Sequence, residues 1–465
     1  MTVTQRRASA TEALAEFAVS ARFDQLPAAA VQRTKDVFLD CTGVILAGSA
    51  EPAGRIVTEL VRAAGAAPKA AVFGRGFRTS AADAALANGT MGHALDYDDL
   101  QHPMYGHPTV VLMPAILAVG EERGASGADA IAAYAVGLEV IHGLALAYNT
   151  RHYEQGWHAT ATFGSIGAAA AVGHLLGLDT GSMRVAFGIA ASEASGLRQN
   201  FGTMVKPLHA GLAARNGVLA VQLAAAGFTA DLDIFESRFG FGNVLVGPGS
   251  YDPAQLTASL GRPFRDSFHG LAIKQYPSCG ATHPGLDAAI GLAIDYDLVP
   301  EEIDRVECVV NPLATKILIY ERPTTGLEGK FSLEYCVAVA LVDRRGGLDQ
   351  FTDERAADPR VRSLVEKIGK TADPAIGQSG DFGTRLTVYL KDGRTLSRQV
   401  DLAKGKSEVP LTQVELHAKF RDAAKRALTP DAVEQALATL DRLETLADVS
   451  AIGATVLGGF DPARV

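Results

Sequence analysis

Three long segments rich in alanine and glycine limit what this chain can fold into. They cover residues 127–149, 163–178 and 206–227, with apolar residues recurring at three- and four-residue spacing. Such a pattern predicts α-helices whose small side chains let the helix axes approach closely and bury every face. Since strand signals are nearly absent from Ala10 to Phe228, we expect these segments to be the central helices of a large all-helical domain.

The composition changes near Ala272. The segments 304–311, 384–393 and 394–402 alternate Val, Ile, Thr and Tyr with charged residues, which is typical of half-buried strands, and helical stretches lie between them. A chain of 465 residues also exceeds what one core usually organises. We therefore predict a mainly α protein with a smaller α/β (α+β) domain. The predicted domains are all-helical at 1–271 and 405–465, with one helical run from Thr412 to Leu446, and α/β at 272–404.

The charge and the cysteine content indicate which partners and which cellular compartment this chain is suited to. The net charge of −9 comes without any Lys/Arg-rich block, which argues against nucleic acid as a partner. The four cysteines are widely separated and lack CxxC spacing, as expected for a reducing cytoplasm. The N-terminus turns acidic before any apolar run of signal-peptide length, and residues 159–178 indicate a buried helix. We predict a cytoplasmic protein with no membrane segment.

The segment 92–108, GHALDYDDLQHPMYGHP, concentrates groups that transfer protons. Two X-Pro steps stiffen it, so the loop is pre-shaped. One alternative is structural: Asp98 and Asp99 could cap a helix that begins near Leu100. Another is a zinc or iron site, but no HExxH or other compact ligand signature is present, so we predict no metal. The side chains that could act as acids, bases or ligands are His93, Asp96, Asp98, Asp99, His102 and His107.

Four further clusters pair a proton-transfer group with Gly, Pro or an aromatic residue. They are GWHATATFG around His158, FGTMVKPLHAG around Lys206 and His209, KQYPSCGATHP from Lys274 to Pro284, and IYERP around Tyr320. Lys206 precedes a proline, which favours the first turn of a helix, where cation and helix N-terminus together attract a carboxylate. A nucleophilic Cys279 with His283 as its base is conceivable, although a small packed thiol is the commoner role.

The order and spacing of these clusters resemble the MmgE/PrpD family, which includes 2-methylcitrate dehydratase, cis-aconitate decarboxylase and iminodisuccinate epimerase. The resemblance covers nearly the whole chain and implies a homodimer with an active site between a helical domain and a lid domain, without metal, flavin, nucleotide or other cofactor. The motifs that carry it are ANGTMGHALDYDD, the HP at 107–108, GWHATATFG, KPLHAGLAARNG, YPSCGATHP and KFSLEYCVA.

Matched motif by motif, the resemblance implies catalytic and substrate-binding positions in this chain. The implied active-site residues are Asp96, His107, His158, Lys206, Lys274 and Tyr320. Of these we expect all but Asp96 to be catalytic. We expect the substrate to be bound by Asp96 together with three residues of the clusters described above, His209, Cys279 and His283. Two departures stand out: the loop is one residue longer around Gly106, and Cys279 stands where the decarboxylase branch is aligned with a histidine.

Reactions of this family pass through negative charge next to a carboxylate, which lysines can neutralise while histidines move protons. We therefore expect a cofactor-independent hydro-lyase acting on a small anionic polycarboxylate such as 2-methylcitrate. The main alternative is an isomerase that epimerises an imino- or amino-dicarboxylate such as iminodisuccinate. A cis-aconitate-type decarboxylase and a non-catalytic carboxylate-binding protein are ranked lower.

Overall fold

The computed structural model describes residues 9–377 and 382–465, which form two compact units. The larger unit contains the described residues up to Leu271 together with Gln413–Val465, and the smaller unit contains the described residues of Ala272–Thr412. The larger unit is helical and the smaller one mixes helices with a sheet, so the predicted fold class, mainly α with a smaller α/β part, is confirmed.

The larger unit is built almost entirely from helices. They are α1 Ala10–Ser20, α2 Ala28–Gly48, α3 Pro52–Ala64, α4 Ala81–His93, α5 Thr109–Arg123, α6 Gly127–Tyr148, α7 Arg151–Glu154, α8 Ala159–Leu175, α9 Thr180–Glu193, α10 Val205–Ala225, α11 Phe241–Leu245, α12 Asp266–His269, and, after the smaller unit, α19 Gln413–Ala424, α20 Pro430–Leu440 and α21 Ser450–Gly458.

The alanine- and glycine-rich segments form the centre of this unit, as predicted. Helix α10 packs against α4 and α8, and α6 packs against α8. Glycine is required at these crossings: a Cβ on Gly211 would collide with the Leu86 carbonyl of α4, and one on Gly217 would collide with Ala168 of α8. The backbones therefore touch where larger side chains would hold the helices apart.

Helix α6 is long and apolar enough to cross a membrane by length and composition alone. Yet 94% of its most apolar window is buried inside the unit. Helices α2, α5 and α8 pack against it. Helix α6 is therefore a core helix of this unit. Buried core helices can be as long and as apolar as membrane-spanning ones.

Two details of the helical prediction are wrong. The run from Thr412 to Leu446 is divided between α19, α20 and a short 3₁₀ turn, because Thr429 and Pro430 start a new helix. The first part of the chain also contains short strands, β1 Ala70–Val72 paired antiparallel with β2 Phe77–Thr79, and β3 Leu100–Gln101. These strands have two or three residues each, too few for an alternating pattern to show.

Over its described residues, 272–377 and 382–412, the smaller unit combines six helices with a four-stranded sheet. Its helices are α13 His283–Asp295, α14 Pro312–Ile317, α15 Gly326–Gly329, α16 Leu333–Asp343, α17 Asp353–Ala356 and α18 Pro359–Val365. After β4 Leu271–Ala272, which begins at the last residue of the larger unit, its strands are β5 Ile303–Val310, β6 Ile368–Ala372, β7 Thr384–Leu390 and β8 Thr395–Val400.

The sheet has the strand order β6-β5-β7-β8. Strand β5 is parallel to β6 and antiparallel to β7, and the register pairs Val306 with both Ile368 and Val388. The inward residues of β5 and β7 pack on α13 and α16 to form the core of this unit. The smaller unit extends beyond the predicted change at 404, because Gly405 accepts a hydrogen bond from Ile273 and donates one to Val409.

Candidate active site

The acidic loop runs between α4 and α5 in the larger unit. Helix α4 ends at His93, and the chain then turns through Asp96, whose φ of 52° is a left-handed conformation that aspartate tolerates better than most residues. The backbone N–H of Gln101 donates to the Gly106 carbonyl over 2.9 Å, which closes a short hairpin before α5 begins at Thr109. The loop is therefore tied at both ends to buried helices.

Asp98 joins two histidines inside this loop. Its carboxylate lies 2.9 Å from Nδ1 of His93 and 3.2 Å from Nδ1 of His107. Burial opposes ionisation of Asp98, but the two imidazoles outweigh burial and hold its pKa well below the usual range. Burial lowers the pKa of His93 to about 4, so near neutral pH its Nδ1–H donates to an anionic Asp98. The Nε2 atom of His93 is buried and finds no hydrogen-bond partner among the described residues.

Asp99 does not cap a helix at Leu100, although its carboxylate accepts a hydrogen bond from a backbone N–H, that of Thr109. A strand, and not a helix, begins at Leu100, so the capping interpretation is wrong. Instead, the Asp99 carboxylate accepts a 2.6 Å hydrogen bond from the hydroxyl of Thr109 at the start of α5. Burial raises the pKa of Asp99 to about 7. Its backbone carbonyl accepts from Nδ1 of His107 over 2.7 Å, which fixes the orientation of that ring.

Lys206 brings the positive charge to this loop. It is the second residue of α10, which confirms the predicted helix start, and its ammonium lies 2.7 Å from Oδ1 of Asp96. The same carboxylate oxygen is 3.7 Å from Nε2 of His107. Lys206 and Asp96 are each only a few per cent exposed. The pair is therefore a buried ion pair, which depends on close geometry to repay its desolvation.

His158 and His209 form a buried imidazole pair. Their Nδ1 atoms are 3.0 Å apart, so one ring must carry the proton on Nδ1 and the other must accept it. Burial, reinforced by nearby positive groups including Lys206, holds the pKa of His158 well below its usual value, and burial also lowers the pKa of His209. Both rings are therefore neutral near pH 7. They can act as proton acceptors without first losing a proton.

The larger unit gathers these groups by bringing three helix starts together. His107 lies just before α5, His158 immediately precedes α8, and Lys206 is in the first turn of α10. The His93 ring lies between them, 4.5 Å from the His107 ring and 6.0 Å from the His158 ring by centroids. Since helix N-termini carry partial positive charge, this end of the bundle favours an anion.

A metal-like group of donors is also present in this loop. His93, Asp96, Asp98 and His107 place one candidate ligand atom each within 4.8 Å of one another. By donor type this set could hold a divalent cation. The arrangement, however, already contains the ammonium of Lys206 against Asp96, and both histidines direct Nδ1 to the Asp98 carboxylate. The acids are thus neutralised by side chains of the protein itself.

The other four candidate residues belong to the smaller unit. Lys274 is buried. His283 is the first residue of α13, and its Nε2 lies 3.2 Å from the Ser278 carbonyl. Cys279 is half-buried, and its N–H donates to the Lys330 carbonyl. Tyr320 is partly exposed, and its N–H donates to the carbonyl of Phe331, the residue after Lys330.

The structure separates the candidates by unit. It brings Asp96, His107, His158, Lys206 and His209 into one cluster of the larger unit. Within the smaller unit, Cys279 and Tyr320 each hydrogen-bond to the Lys330–Phe331 pair. The roles predicted for Lys274, Cys279, His283 and Tyr320 stay predictions.

Two residues of the cluster were left out of the predicted site. His93 was only one of several ionisable groups in the loop, although its spacing from Asp98 permits the contact that the loop turn creates. Phe201 gave no chemical signal, yet its ring packs edge-on against His158 with centroids 4.9 Å apart, and the Lys206 ammonium is 5.4 Å from its centre. Its place beside the KPLHAG motif is the one local clue.

Comparison with known proteins agrees with the family suggested by the motifs. The model of the MmgE/PrpD N-terminal domain matches residues 12–254, and that of the MmgE/PrpD C-terminal domain matches residues 276–445. The chain is 29% identical to cis-aconitate decarboxylase of Mus musculus over 457 residues, which covers 96% of this chain and 92% of the relative.

Two other relatives are matched over a similar length. Cis-aconitate decarboxylase of Homo sapiens is 28% identical, with 98% of this chain and 96% of the relative covered. The enzyme of the same name from Aspergillus terreus is also 28% identical, with 96% and 95% covered. The chain belongs to the MmgE/PrpD family.

Proposed function

We propose that the protein is a hydro-lyase that removes water from a small hydroxy-polycarboxylate, using its own side chains for proton transfer. One observation carries this proposal: the buried ammonium of Lys206 and the buried imidazole of His158, whose pKa lies well below its usual value, pack against the same ring of Phe201. A reaction that begins by taking a proton next to a carboxylate needs an unprotonated base and a nearby positive charge. The cluster of the larger unit offers both.

The paired imidazoles suit a dehydration because they couple an acid to a base. If Nδ1 of His158 donates to His209, then Nε2 of His158 carries a lone pair and can accept a proton. Once Nε2 holds the proton from the substrate, the Nδ1 proton of His158 can move to Nδ1 of His209, which becomes an imidazolium and leaves His158 neutral with an N–H at Nε2. Proton uptake followed by this shift over the 3.0 Å contact thus leaves a proton donor where the base stood.

The steps of the proposed reaction balance without an external redox partner. His158 takes the proton from the carbon next to a carboxylate, and the electron pair is delocalised onto that carboxylate, close to Lys206. The C–O bond at the neighbouring carbon then breaks, the electrons form the double bond, and the leaving hydroxide is protonated to water. His107, which is linked to both Asp96 and Asp98, is the second proton donor available in the cluster.

Decarboxylation of an unsaturated tricarboxylate is the second candidate, because the matched relatives named above are cis-aconitate decarboxylases. In that reaction a C–C bond breaks first and carbon dioxide leaves, so a base is not needed to start it. We rank it second since neutral imidazoles favour proton abstraction and Cys279 replaces the aligned histidine. Epimerisation of an imino-dicarboxylate uses the same proton abstraction and ranks third.

Proton NMR in D₂O distinguishes these reactions. The purified full chain is incubated with 2-methylcitrate, citrate, cis-aconitate and iminodisuccinate, with the His158→Gln variant as control. A new unsaturated product from a hydroxy acid is the expected result. Loss of carbon dioxide from cis-aconitate would establish the second candidate, and α-proton exchange with inversion of configuration the third. No change in any of the four compounds would overturn the proposal for these substrates.

A further inference from the structure

A second cation lies beside the cluster on the segment 196–201. The Gly196 carbonyl accepts a 3.0 Å hydrogen bond from the His158 N–H, and the Arg198 N–H donates to the Gly156 carbonyl over 2.8 Å. Gly196 has a φ of 140°, and a Cβ there would lie 2.7 Å from Ala161. The backbone thus crosses tightly in front of His158. Arg198 is held next to that residue by the same pair of hydrogen bonds.

The guanidinium of Arg198 is fixed in position but not neutralised. Its Nη1 donates to the Tyr153 carbonyl over 2.8 Å, and Cζ lies 3.7 Å above the centre of the Tyr153 ring. Its Nε is buried and has no hydrogen-bond partner in the part of the chain that the structure describes. Among residues 9–377 and 382–465, no carboxylate forms a salt bridge with it. Stacking on an aromatic ring holds the guanidinium plane in place and leaves the N–H groups at its edge available to an anion.

Phe201 connects Arg198 to the groups proposed for proton transfer. The centre of its ring lies 5.8 Å from Cζ of Arg198 and 5.4 Å from Nζ of Lys206, so the two cations are no more than about 11 Å apart. The His158 ring packs against the same phenyl group. An imidazole pair and two cations are therefore grouped around one apolar ring, a spacing that different carboxylates of one small molecule can bridge.

We propose that Arg198 binds a carboxylate of the substrate that is remote from the reacting carbon, and thereby selects tricarboxylates over dicarboxylates. The inference rests on the proposed function, in which Lys206 receives the carboxylate next to that carbon. Arg198 presents a planar fork that matches a carboxylate, and it is already oriented by Tyr153, so little side-chain entropy is lost on binding. It is a substrate-binding residue and takes no part in proton transfer.

A matched pair of unreactive probes tests this assignment. Propane-1,2,3-tricarboxylate and glutarate share a five-carbon diacid chain and differ by one carboxylate. Calorimetric titration of the full chain should show that the wild type prefers the tricarboxylate. In Arg198→Gln this preference should fall by roughly 10- to 100-fold, the loss expected for a charge-assisted hydrogen bond, while glutarate affinity changes little. Arg198→Lys should keep part of the preference, because the charge remains but the fork is lost.

Arg123→Gln serves as the control, since Arg123 is exposed at the far end of α5, about 20 Å along the helix from its start beside His107. Circular dichroism checks that each variant is folded. If Arg198→Gln does not fold, the preference for the tricarboxylate is compared between Arg198→Lys and the wild type. Equal preference in Arg198→Gln and wild type overturns the assignment.

Turnover separates this inference from the proposed function. A wild type that prefers the tricarboxylate but dehydrates none of the test compounds contradicts the reaction and leaves the Arg198 result standing. If the wild type and Arg198→Gln dehydrate a polycarboxylate with the same KM, the role of Arg198 is contradicted and the proposed reaction is not. Failure of the wild type to bind either probe contradicts the assignment of Arg198 as well.

Discussion

The ammonium of Lys419 lies 2.6 Å from the carboxylate of Asp40, and both side chains are buried. Lys419 belongs to α19, in the chain that returns after the smaller unit, and Asp40 belongs to α2. The same ammonium donates to the Tyr97 carbonyl over 2.9 Å and lies 3.9 Å from the centre of the Tyr97 ring. Since Tyr97 separates Asp96 from Asp98, helix α19 fixes the loop that carries both acids.

Lys419→Met should therefore destabilise the larger unit. Removing one partner leaves the Asp40 carboxylate buried without its cation, which typically costs about 3–5 kcal/mol. The measurement is the urea midpoint of unfolding, followed by tryptophan fluorescence and circular dichroism. Lys425→Met is the control, because Lys425 follows the same helix but is exposed. Equal midpoints for the two variants would contradict a structural role for Lys419.

His158→Gln should abolish turnover while leaving polycarboxylate binding nearly unchanged. Glutamine retains a polar group but cannot move a proton, and loss of a general base typically lowers kcat by about 10²- to 10⁴-fold. The readouts are kcat and the affinity for propane-1,2,3-tricarboxylate. Unchanged turnover would remove His158 from the catalytic set, and lost binding would make it a substrate-binding residue.

The pH dependence of the wild type should reflect the buried state of His158. An ordinary imidazole titrates near pH 6.5, but burial holds the pKa of His158 well below that value. The neutral, proton-accepting form is then still present as the pH falls through 6.5, and it is lost only at lower pH. We expect kcat/KM to stay constant from pH 7.5 to 6 and to decline below. An acid limb centred at 6.5 or higher would contradict this.

Much of the helical architecture could be predicted from the sequence because it follows local rules. Segments 127–149, 163–178 and 206–227 show both their helical period and their close packing in their Ala and Gly content. Strand β6 was not predicted, since only the first of its residues is buried and no alternation is visible. The contact between Asp40 and Lys419 joins residues far apart in the chain, and no local pattern marks it.

The candidate site was predicted in its chemistry but not in its connections. The concentration of acids and histidines in the loop indicated proton transfer, and the position of Lys206 at a helix start followed from Pro207. Which groups pair depends on the tertiary approach of α4, α5, α8 and α10. That approach decides that Asp98 contacts two histidines and that Asp99 turns to Thr109. Neither contact can be predicted from the spacing of these residues along the chain.

Asp99 should make the protein lose stability as the pH rises from about 4 to about 7. Its pKa is about 7 in the folded state because of burial, against about 4 for an unfolded aspartate, so the folded state binds the proton more tightly. Stability is therefore lost as the pH rises between these values, by about 1.4 kcal/mol per unit of difference. Asp99→Asn removes the titration, so its stability relative to the wild type should be greater at pH 8 than at pH 5.

Urea midpoints at the two pH values measure this effect. Asp24→Asn is the control, because the Asp24 side chain is 69% exposed. If the difference between Asp99→Asn and the wild type were the same at both pH values, Asp99 would not titrate as a buried carboxyl.

Dialysis against a strong chelator should leave the activity of the wild type unchanged. The donors His93, Asp96, Asp98 and His107 are close enough to hold a divalent cation, but the Lys206 ammonium is 2.7 Å from Asp96. A metal ion in that group would lie close to a second positive charge in a poorly screened interior, where repulsion is strong. Activity before and after EDTA treatment is the measurement, with added Zn²⁺, Mn²⁺ and Fe²⁺ as controls. Activity that is lost on chelation and returns only with one of these ions would show that the group binds a metal and that Lys206 moves aside for it.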